Sequence, residues 1–228
     1  MDIDSTIFWV GHACFYIKAK GLTIFIDPFN IGPGIKEKAD IVLITHAHFD
    51  LCNKDAFRKV LKNDTVVFGP QDCIEQLGVK DGNAVKPHHN EIYREKISIS
   101  TVPAYNIKPE RLEFHPKRNN WVGYVLNVGL NDGDFKIYHA GDTDLIEEMR
   151  VFAKYNVDAA LLPMGGTYVM DPSEAAEASK VINAKHSVPM HYKQLLGREG
   201  SEAAEKLFRE KARNPHVMKE VQEPKFSF

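Results

Sequence analysis

Several short apolar runs in this sequence end in a histidine or an aspartate. The runs are rich in Ile, Val, Phe and Tyr, and their short length favours β-strands over helices. Four of them close as "TIFID", "IVLITHAHFD", "KIYHAGD" and "VPMH". If these strands lie side by side, their ends meet at one edge of a sheet. His and Asp side chains from distant parts of the chain are then predicted to converge there.

Strand-like runs recur along the whole chain and set the predicted architecture. They cover residues 6–10, 14–17, 22–26, 41–45, 66–68, 97–102, 122–128, 135–139, 159–162 and 187–190. The Asn131-Asp132-Gly133 segment between two of these runs predicts a hairpin turn. The early runs are closely spaced, whereas later ones are separated by segments with helical periodicity. This order predicts a layered α/β protein, organised as a single domain over residues 1–228.

The helices are predicted from apolar residues at a spacing of three to four. These positions are Phe57, Val60 and Leu61, then Leu145, Met149 and Phe152, and finally Ala204, Leu207, Phe208 and Ala212. A further helix is predicted to begin after Asp171 as N-cap, with Pro172 in its first turn and Glu174 at the reciprocal capping position. Helices at these places would cover the faces of the predicted sheets.

Charge and cysteine content narrow the class of protein. The chain has 29 Lys and Arg against 31 Asp and Glu, so no overall field attracts nucleic acid or anionic lipid. Its three cysteines are an odd number without CxxC spacing, which argues against a disulfide framework and a zinc knuckle. No apolar run approaches the roughly 18 residues of a membrane span. We expect a cytoplasmic protein with a small-molecule partner and no nucleic-acid or membrane partner; a homo-oligomer is compatible with the sequence.

The spacing of His46, His48 and Asp50 indicates a metal site. These residues follow an apolar run at alternate positions, and alternate residues of an extended backbone point to the same side. Neutral imidazole and carboxylate are ligands that suit zinc and its first-row neighbours. Zinc is therefore the expected cofactor, and manganese, iron or nickel is compatible with the same ligand types.

A set of motifs in a fixed order resembles the metallo-β-lactamase superfamily. The motifs are "GHACF", "IDPF", "THAHFD", "AYN" with "FHPK", "HAGDT" and "MHY", from His12 to Tyr192. They are most similar to a branch of small metal-dependent hydrolases like the ascorbate-phosphate lactonases. The resemblance implies a four-layer αββα sandwich, with two mixed sheets flanked by helices and the active site along one edge. It also implies a water or hydroxide held there by one or two metals.

The resemblance implies a role for each matching residue. His46 and His48 match ligands of a first metal, Asp50 and His191 match ligands of a second, and Asp142 matches the carboxylate that bridges both.

Two positions depart from the superfamily pattern. Many relatives carry a first-metal histidine in an A-x-H segment, where this chain has Asn106; His115 of "FHPK" is the substitute candidate, and a surface histidine is its alternative reading. The pattern HxHxDH places a second-metal histidine at position 51, where this chain has Leu51, which cannot donate electron pairs. We expect one firmly held metal at His46, His48 and His115, and a second site that is weak, empty or rebuilt around Leu51.

Other polar residues are predicted to support the site or to contact substrate. His12 in the "GH" element matches a histidine near the site in the resembling family, and a core histidine is the alternative. Asp27 and His139 are expected to fix a loop or to orient a ligand histidine through its other ring nitrogen. Asn106 and Lys117 are further candidates, the latter as a receiver of phosphate or carboxylate at the rim.

The leading hypothesis is metal-dependent hydrolysis of a small ester, lactone or phosphoester. Asp50 would be the catalytic residue that orients the attacking water and accepts its proton. The alternative is a degenerate relative that keeps the fold but acts as a non-catalytic binding module, which Leu51 and Asn106 motivate. A nuclease is disfavoured by the balanced charge. The ligand types alone leave a mono-iron redox role open.

Overall fold

Two six-stranded sheets form the centre of the molecule in a computed structural model that describes residues 1–129 and 134–222. The first sheet runs in the order β1 (Ile7–Gly11), β2 (Cys14–Ala19), β3 (Leu22–Ile26), β4 (Ile41–Leu43), β5 (Val66–Gly69) and β6 (Asn83–Ala84). The second runs in the opposite order of the chain, from β12 to β7. Its strands are β7 (Asn90–Tyr93), β8 (Ile97–Pro103), β9 (Val122–Val128), β10 (Phe135–His139), β11 (Ala159–Pro163) and β12 (His186–Met190).

The helices flank these sheets, and the predicted sandwich of two mixed sheets flanked by helices is confirmed. They are α1 (Ile3–Thr6), α2 (Lys54–Val60), α3 (Gln71–Leu77), α4 (Pro172–Ile182) and α5 (Lys193–Lys211), with 3₁₀ helices at Lys117–Asn119 and Glu147–Lys154. Among the helices of the described part of the chain, none has the length and apolar character to cross a membrane.

Each sheet changes from antiparallel to parallel pairing, and the parallel half positions the site. In the first sheet β3, β4, β5 and β6 are parallel, and in the second β10, β11 and β12 are parallel. The register pairs Ile26 with Leu43, and Pro163 with Met190. Because parallel strands end at the same edge, the polar residues that follow them are brought together.

Alternation along the strands divides the apolar residues between two cores. Phe15 and Ile17 of β2 belong to the large core that includes residues of both sheets, whereas Cys14 and Tyr16 belong to a second core with residues of α2 and α3. This period of two is what a sheet covered on both faces requires. Leu51 is fully buried in the large core.

The predicted elements are largely confirmed, and the differences have local causes. Asp171 and Glu174 form the predicted capping box of α4. The segment predicted as a helix around Met149 is a 3₁₀ helix, and α5 is interrupted at Gly197, which has φ 64°. Sequence periodicity did not predict α3 or the edge strands β6 and β7; β7 is mostly exposed and begins with two polar residues. The predicted turn at residues 131–133 lies outside the described residues.

Candidate metal centre

Ligand-type side chains from both sheets meet at one edge of the sandwich in two groups. The first group is His46, His48 and His115, and the second is His12, Asp50 and His191. Within each group the candidate ligand atoms all lie within 4.8 Å of one another. Such a convergence of imidazole and carboxylate could hold one first-row metal ion per group.

Asp142 lies between the two groups. Its Oδ2 atom is 3.4 Å from Nε2 of His115 and 3.8 Å from Nε2 of His46 in the first group. The same oxygen is 3.1 Å from Nε2 of His191 in the second group. One carboxylate oxygen thus contacts both groups, which is the position that a bridging ligand occupies.

The loop after β4 turns within the HxHxD motif. The Cys52 N–H donates a 2.7 Å hydrogen bond to the His48 carbonyl, and residues 47–52 form bends and turns rather than strand. The expectation that an extended backbone alone aims His46, His48 and Asp50 at one volume is therefore wrong. Because of this turn, Asp50 lies in the second group and the adjacent Leu51 lies in the core.

A buried relay orients His46. Thr45 Oγ1 donates to Asp27 Oδ2 over 2.8 Å and lies 3.0 Å from His46 Nδ1. The Thr45 N–H also donates to Asp27 Oδ1 over 2.8 Å. If Thr45 donates to Asp27, its oxygen accepts the proton of Nδ1, and Nε2 of His46 keeps its lone pair for the site. Asp27 thus acts on His46 through Thr45.

A second relay orients His115, which is buried with 1% of its surface exposed. Asn106 Nδ2 donates to Asp144 Oδ1 over 3.1 Å and to the Tyr168 carbonyl over 3.2 Å. Asn106 Oδ1 therefore faces His115 Nδ1, at 2.8 Å. With Nδ1 donating to this oxygen, Nε2 of His115 is directed at the centre.

Two predicted supporting residues have other partners. His139 Nε2 donates to the Ala13 carbonyl over 2.9 Å, and its Nδ1 accepts from the Gly141 N–H over 3.2 Å. Both ring nitrogens are committed, so His139 fastens the loop of Asp142 to the turn between β1 and β2. Lys117 Nζ lies 3.0 Å from the Tyr105 hydroxyl and 3.2 Å from Glu148 Oε1, and it does not line the cavity described below.

The carboxylates of the centre are held ionised. Burial favours the neutral acid at Asp142, but the charge of His191 and the nearby imidazole of His115 outweigh it and hold the pKa of Asp142 well below its usual value. At Asp50 burial is likewise outweighed by the hydrogen bond from His12 and the nearby imidazole of His191, which lower its pKa. Burial lowers the pKa of His46 well below its ordinary value, whereas the two carboxylates outweigh burial at His191 and raise its pKa to about 10. The centre thus presents anionic carboxylates and, at His46, a neutral imidazole, the forms that ligate cations.

The centre opens into a cavity of about 530 Å³. Residues of both groups and Asp142 line it, and the remaining lining side chains are Phe49, Phe114, Tyr168 and Leu195. Phe49 is 67% exposed, and Phe114 stacks edge-on against Tyr168 with ring centroids 4.8 Å apart. The lining outside the polar centre is therefore aromatic and aliphatic.

Several buried polar atoms of the centre lack a hydrogen-bond partner in the described part of the chain and are spaced as the ligands of a metal ion would be. Nε2 of His115 and of His191 and Oδ1 of Asp142 are buried and have no hydrogen-bond partner among the described residues. Ligand atoms bound tetrahedrally at about 2.0–2.1 Å from zinc lie about 3.3 Å apart. The contacts of Asp142 Oδ2 with His115 and His191, at 3.4 and 3.1 Å, agree with this spacing. The residues present therefore fit a metal that the fold implies.

His12 lies in the second group, although its sequence pattern predicted a supporting or substrate-contacting residue and not a ligand. His12 lies in the turn between β1 and β2, and its imidazole Nε2 is 2.8 Å from Asp50 Oδ2. The available signal was the "GH" dipeptide between two short strands, which marks a turn without indicating where the ring points.

A comparison with protein families now gives the class of the chain. The model described as "Beta-lactamase superfamily domain" matches residues 6–191. Among solved structures, the metallo hydrolase Igni18 from Ignicoccus hospitalis is 26% identical with a TM-score of 0.74, covering 95% of each chain.

Relatives in sequence narrow the class further. A UPF0173 metal-dependent hydrolase of Lawsonia intracellularis is 34% identical over 201 residues, covering 83% of this chain and 84% of that protein. A UPF0173 protein of Pyrococcus abyssi is 34% identical over 206 residues, covering 90% and 89%. The chain belongs to the metallo-β-lactamase superfamily and, within it, to the UPF0173 family of metal-dependent hydrolases.

Proposed function

We propose that the chain hydrolyses a small uncharged ester or lactone with an apolar or aromatic substituent, using metal held at the two groups. The observation that carries this proposal is the shared Asp142, which contacts both groups at the floor of an apolar cavity. Relatives named as metal-dependent hydrolases support the reaction class. The three cysteines are buried free thiols, which supports a reducing, cytoplasmic compartment.

Zinc is the metal that we propose for this centre. His46, His48 and His115 would hold one ion, Asp50 and His191 would contribute to a second, and Asp142 would be shared. A bound zinc ion lowers the pKa of water from about 15.7 to about 7 and polarises the oxygen of a substrate carbonyl. The all-nitrogen first group, in which Nε2 of His115 has no hydrogen-bond partner among the described residues, supports zinc over the hard cations that prefer oxygen.

Asp50 is the proposed catalytic carboxylate. It lines the cavity and is the more accessible of the two carboxylates, with 19% of its side chain exposed against 3% for Asp142. Its lowered pKa keeps it ionised at neutral pH. Asp50 is therefore able to orient an attacking water by accepting a hydrogen bond and to receive its proton.

The cavity walls favour an uncharged substrate over a phosphoester. Among the described residues, no lysine or arginine lines the cavity. Lys117, the predicted anion receiver, is paired with Glu148, and Arg111 is buried against Asp144 and Glu174. A phosphate group would thus rely on the metal alone for neutralisation, whereas Phe49 and Phe114 offer surface to an apolar substituent.

Each group contains a histidine near the position that departs from the superfamily pattern. His115 stands in the first group beside Asn106, and His12 stands in the second group near Leu51. This supports the enzymatic reading over the non-catalytic binding module.

A metal analysis followed by a substrate panel tests the proposal. The purified protein should contain zinc and should cleave aryl and alkyl esters or lactones faster than matched phosphodiesters. His115→Ala should lower the rate by orders of magnitude, and Lys117→Ala should leave it near that of the parent chain. Preference for phosphodiesters would contradict the substrate class, and absence of both metal and hydrolysis would contradict the function.

A further inference from the structure

We propose that His12 is a ligand of the second metal and takes the place that the superfamily pattern gives to a histidine at position 51. The inference rests on the proposed metal centre and specifies how its second half is completed. It concerns this chain in particular, because Leu51 has no atom that can bind a cation.

Four ligand-type atoms lie next to one another in the second group and at the shared Asp142. Asp50 Oδ2 is 2.8 Å from Nε2 of His12 and 3.5 Å from Nε2 of His191. Nε2 of His191 is in turn 3.1 Å from Asp142 Oδ2. These separations bracket the spacing of about 3.3 Å expected between ligands of one tetrahedral zinc ion. With Asp142, the second group offers two imidazoles and two carboxylates.

The backbone holds His12 against His191. The His12 carbonyl accepts a 3.0 Å hydrogen bond from the His191 N–H and a 2.9 Å hydrogen bond from Trp9 Nε1. The two imidazole centroids are 3.8 Å apart. Two turns that are far apart in the chain are thereby fastened together with their imidazoles on the same side.

Both histidines adopt the left-handed backbone conformation. His12 has φ 53° and His191 has φ 56°, a region that glycine occupies without cost and that is uncommon for other residues. Such positions cost about 1–3 kcal/mol and persist where the surrounding structure holds them. The hydrogen bond from the His191 N–H to the His12 carbonyl is one such restraint, and it keeps both histidines beside the centre.

Leu51 is excluded as a metal ligand by its packing as well as by its lack of a donor atom. Its side chain is fully buried among apolar residues of both sheets. His12 is also buried, with 3% of its surface exposed, but its Nε2 lies 2.8 Å from Asp50 Oδ2 in the second group.

The competing role for His12 is a hydrogen bond that orients Asp50 without contact to metal. His12→Gln separates the two, because a glutamine amide keeps an N–H for Asp50 but is a poor zinc or cobalt ligand. His12→Cys tests the ligand role directly, since a thiolate bound to Co²⁺ produces a charge-transfer band in the near ultraviolet. His89→Gln is the matched control, with a partly exposed histidine paired only loosely with Glu91 at 4.0 Å.

The experiment titrates metal-free protein with Co²⁺ and follows stoichiometry and absorption. We expect two cobalt ions per parent chain and per His89→Gln chain. His12→Gln should keep the first ion and bind the second more weakly by over 100-fold, beyond the roughly 10–100-fold cost of losing an orienting partner. His12→Cys should show a thiolate band, absent from the parent, as the second ion binds.

Several results would overturn the inference. His12→Gln binding two ions with the parent's affinity would do so, and so would a second ion in His12→Cys without a thiolate band. A parent chain that binds one cobalt would also refute it while leaving the proposed hydrolase intact. A parent chain that binds none would refute the proposed function itself. Retention of the first ion in each variant shows that its fold is preserved.

Discussion

His46 and His115 of the first metal group are oriented by hydrogen bonds at Nδ1, the ring nitrogen that is not directed at the centre. Asn106 has both amide protons engaged, by Asp144 and the Tyr168 carbonyl, so only its oxygen is available to His115. In the same way, Thr45 Oγ1 donates to Asp27 and is left to accept a hydrogen bond from His46 Nδ1. In each case a buried acceptor selects the ring nitrogen that carries the proton, and the other nitrogen is left for the site.

Asn106→Ala is therefore expected to weaken metal binding at the first group by about 10–100-fold, because His115 loses the partner that fixes its tautomer and ring angle. Zinc titration against a chromophoric chelator measures the change. Asn90→Ala, at a mostly exposed asparagine in β7, is the control and should match the parent chain. Equal affinities in all three proteins would show that Asn106 does not orient His115.

At the level of elements, the long connection between β8 and β9 carries His115 and depends on one buried arginine. Arg111 Nε lies 3.1 Å from Asp144 Oδ1, its Nη2 donates to Glu174 over 2.9 Å, and Nη1 bonds the Val169 carbonyl. The guanidinium thereby joins this connection to the loop after β10 and to α4. Since Asp144 also holds Asn106, the arginine stabilises the relay to His115 as well.

Arg111→Ala is expected to lower the free energy of unfolding by about 3–5 kcal/mol, because the buried Asp144 loses its cationic partner and keeps only hydrogen bonds from neutral groups. Chemical denaturation of metal-free protein measures the loss. Arg118→Ala is the matched control, since Arg118 is 74% exposed and 3.8 Å from Glu113; its effect should stay within about 0.5 kcal/mol. Similar small losses in both variants would contradict a structural role for Arg111.

His139 links the end of β10 to the turn between β1 and β2, and it makes stability depend on pH. Burial lowers the pKa of His139 to about 4, from an ordinary value of 6.5. Between about pH 6.5 and pH 4, His139 binds a proton in the unfolded chain but remains neutral in the folded chain. Stability is therefore lost as the pH falls from about 6.5 to about 4, by about 3 kcal/mol in total.

We expect His139→Gln to show a shallower loss of unfolding free energy over this pH range. The measurement is denaturation of both proteins at several pH values with chelator present, so that release of metal at low pH does not contribute. Parallel curves for parent and variant would show that His139 is not the group responsible.

Across the whole molecule, the centre joins the two sheets. His12, His46, His48 and Asp50 follow strands of the first sheet, whereas His115, Asp142 and His191 flank strands of the second. Each metal group contains side chains from both sheets. A metal that binds only the folded chain therefore stabilises the association of the two halves.

Chelation is accordingly expected to lower the melting temperature, and added zinc is expected to restore it. A single site filled at 100 times its dissociation constant contributes about 2.7 kcal/mol. Calorimetry with and without chelator measures the shift. His48→Ala serves as the comparison and should show a smaller shift, because it removes a ligand of the first group. An identical melting temperature in zinc and in chelator would contradict a metal that bridges the sheets.

The sequence by itself determined the class of fold and indicated most residues of the candidate metal centre. Strand alternation follows from a local period of two, and the carboxyl ends of parallel strands share an edge, so Asp142 and His191 could be placed near the HxHxD loop from the sequence. A motif and the gap at Asn106 made His115 a candidate. Local pattern and the geometry of neighbouring strands are sufficient for this much.

Only the tertiary structure decided which side chains lie beside the two unusual positions. The place of His12 depends on a turn that meets His191, and that of Asn106 on Asp144 and Tyr168, all distant in the chain. The exposed strand β7 is defined by pairing with β8 and not by its own residues. Long-range contacts set the direction of a side chain in a turn, and these contacts cannot be predicted from the neighbouring residues in the sequence.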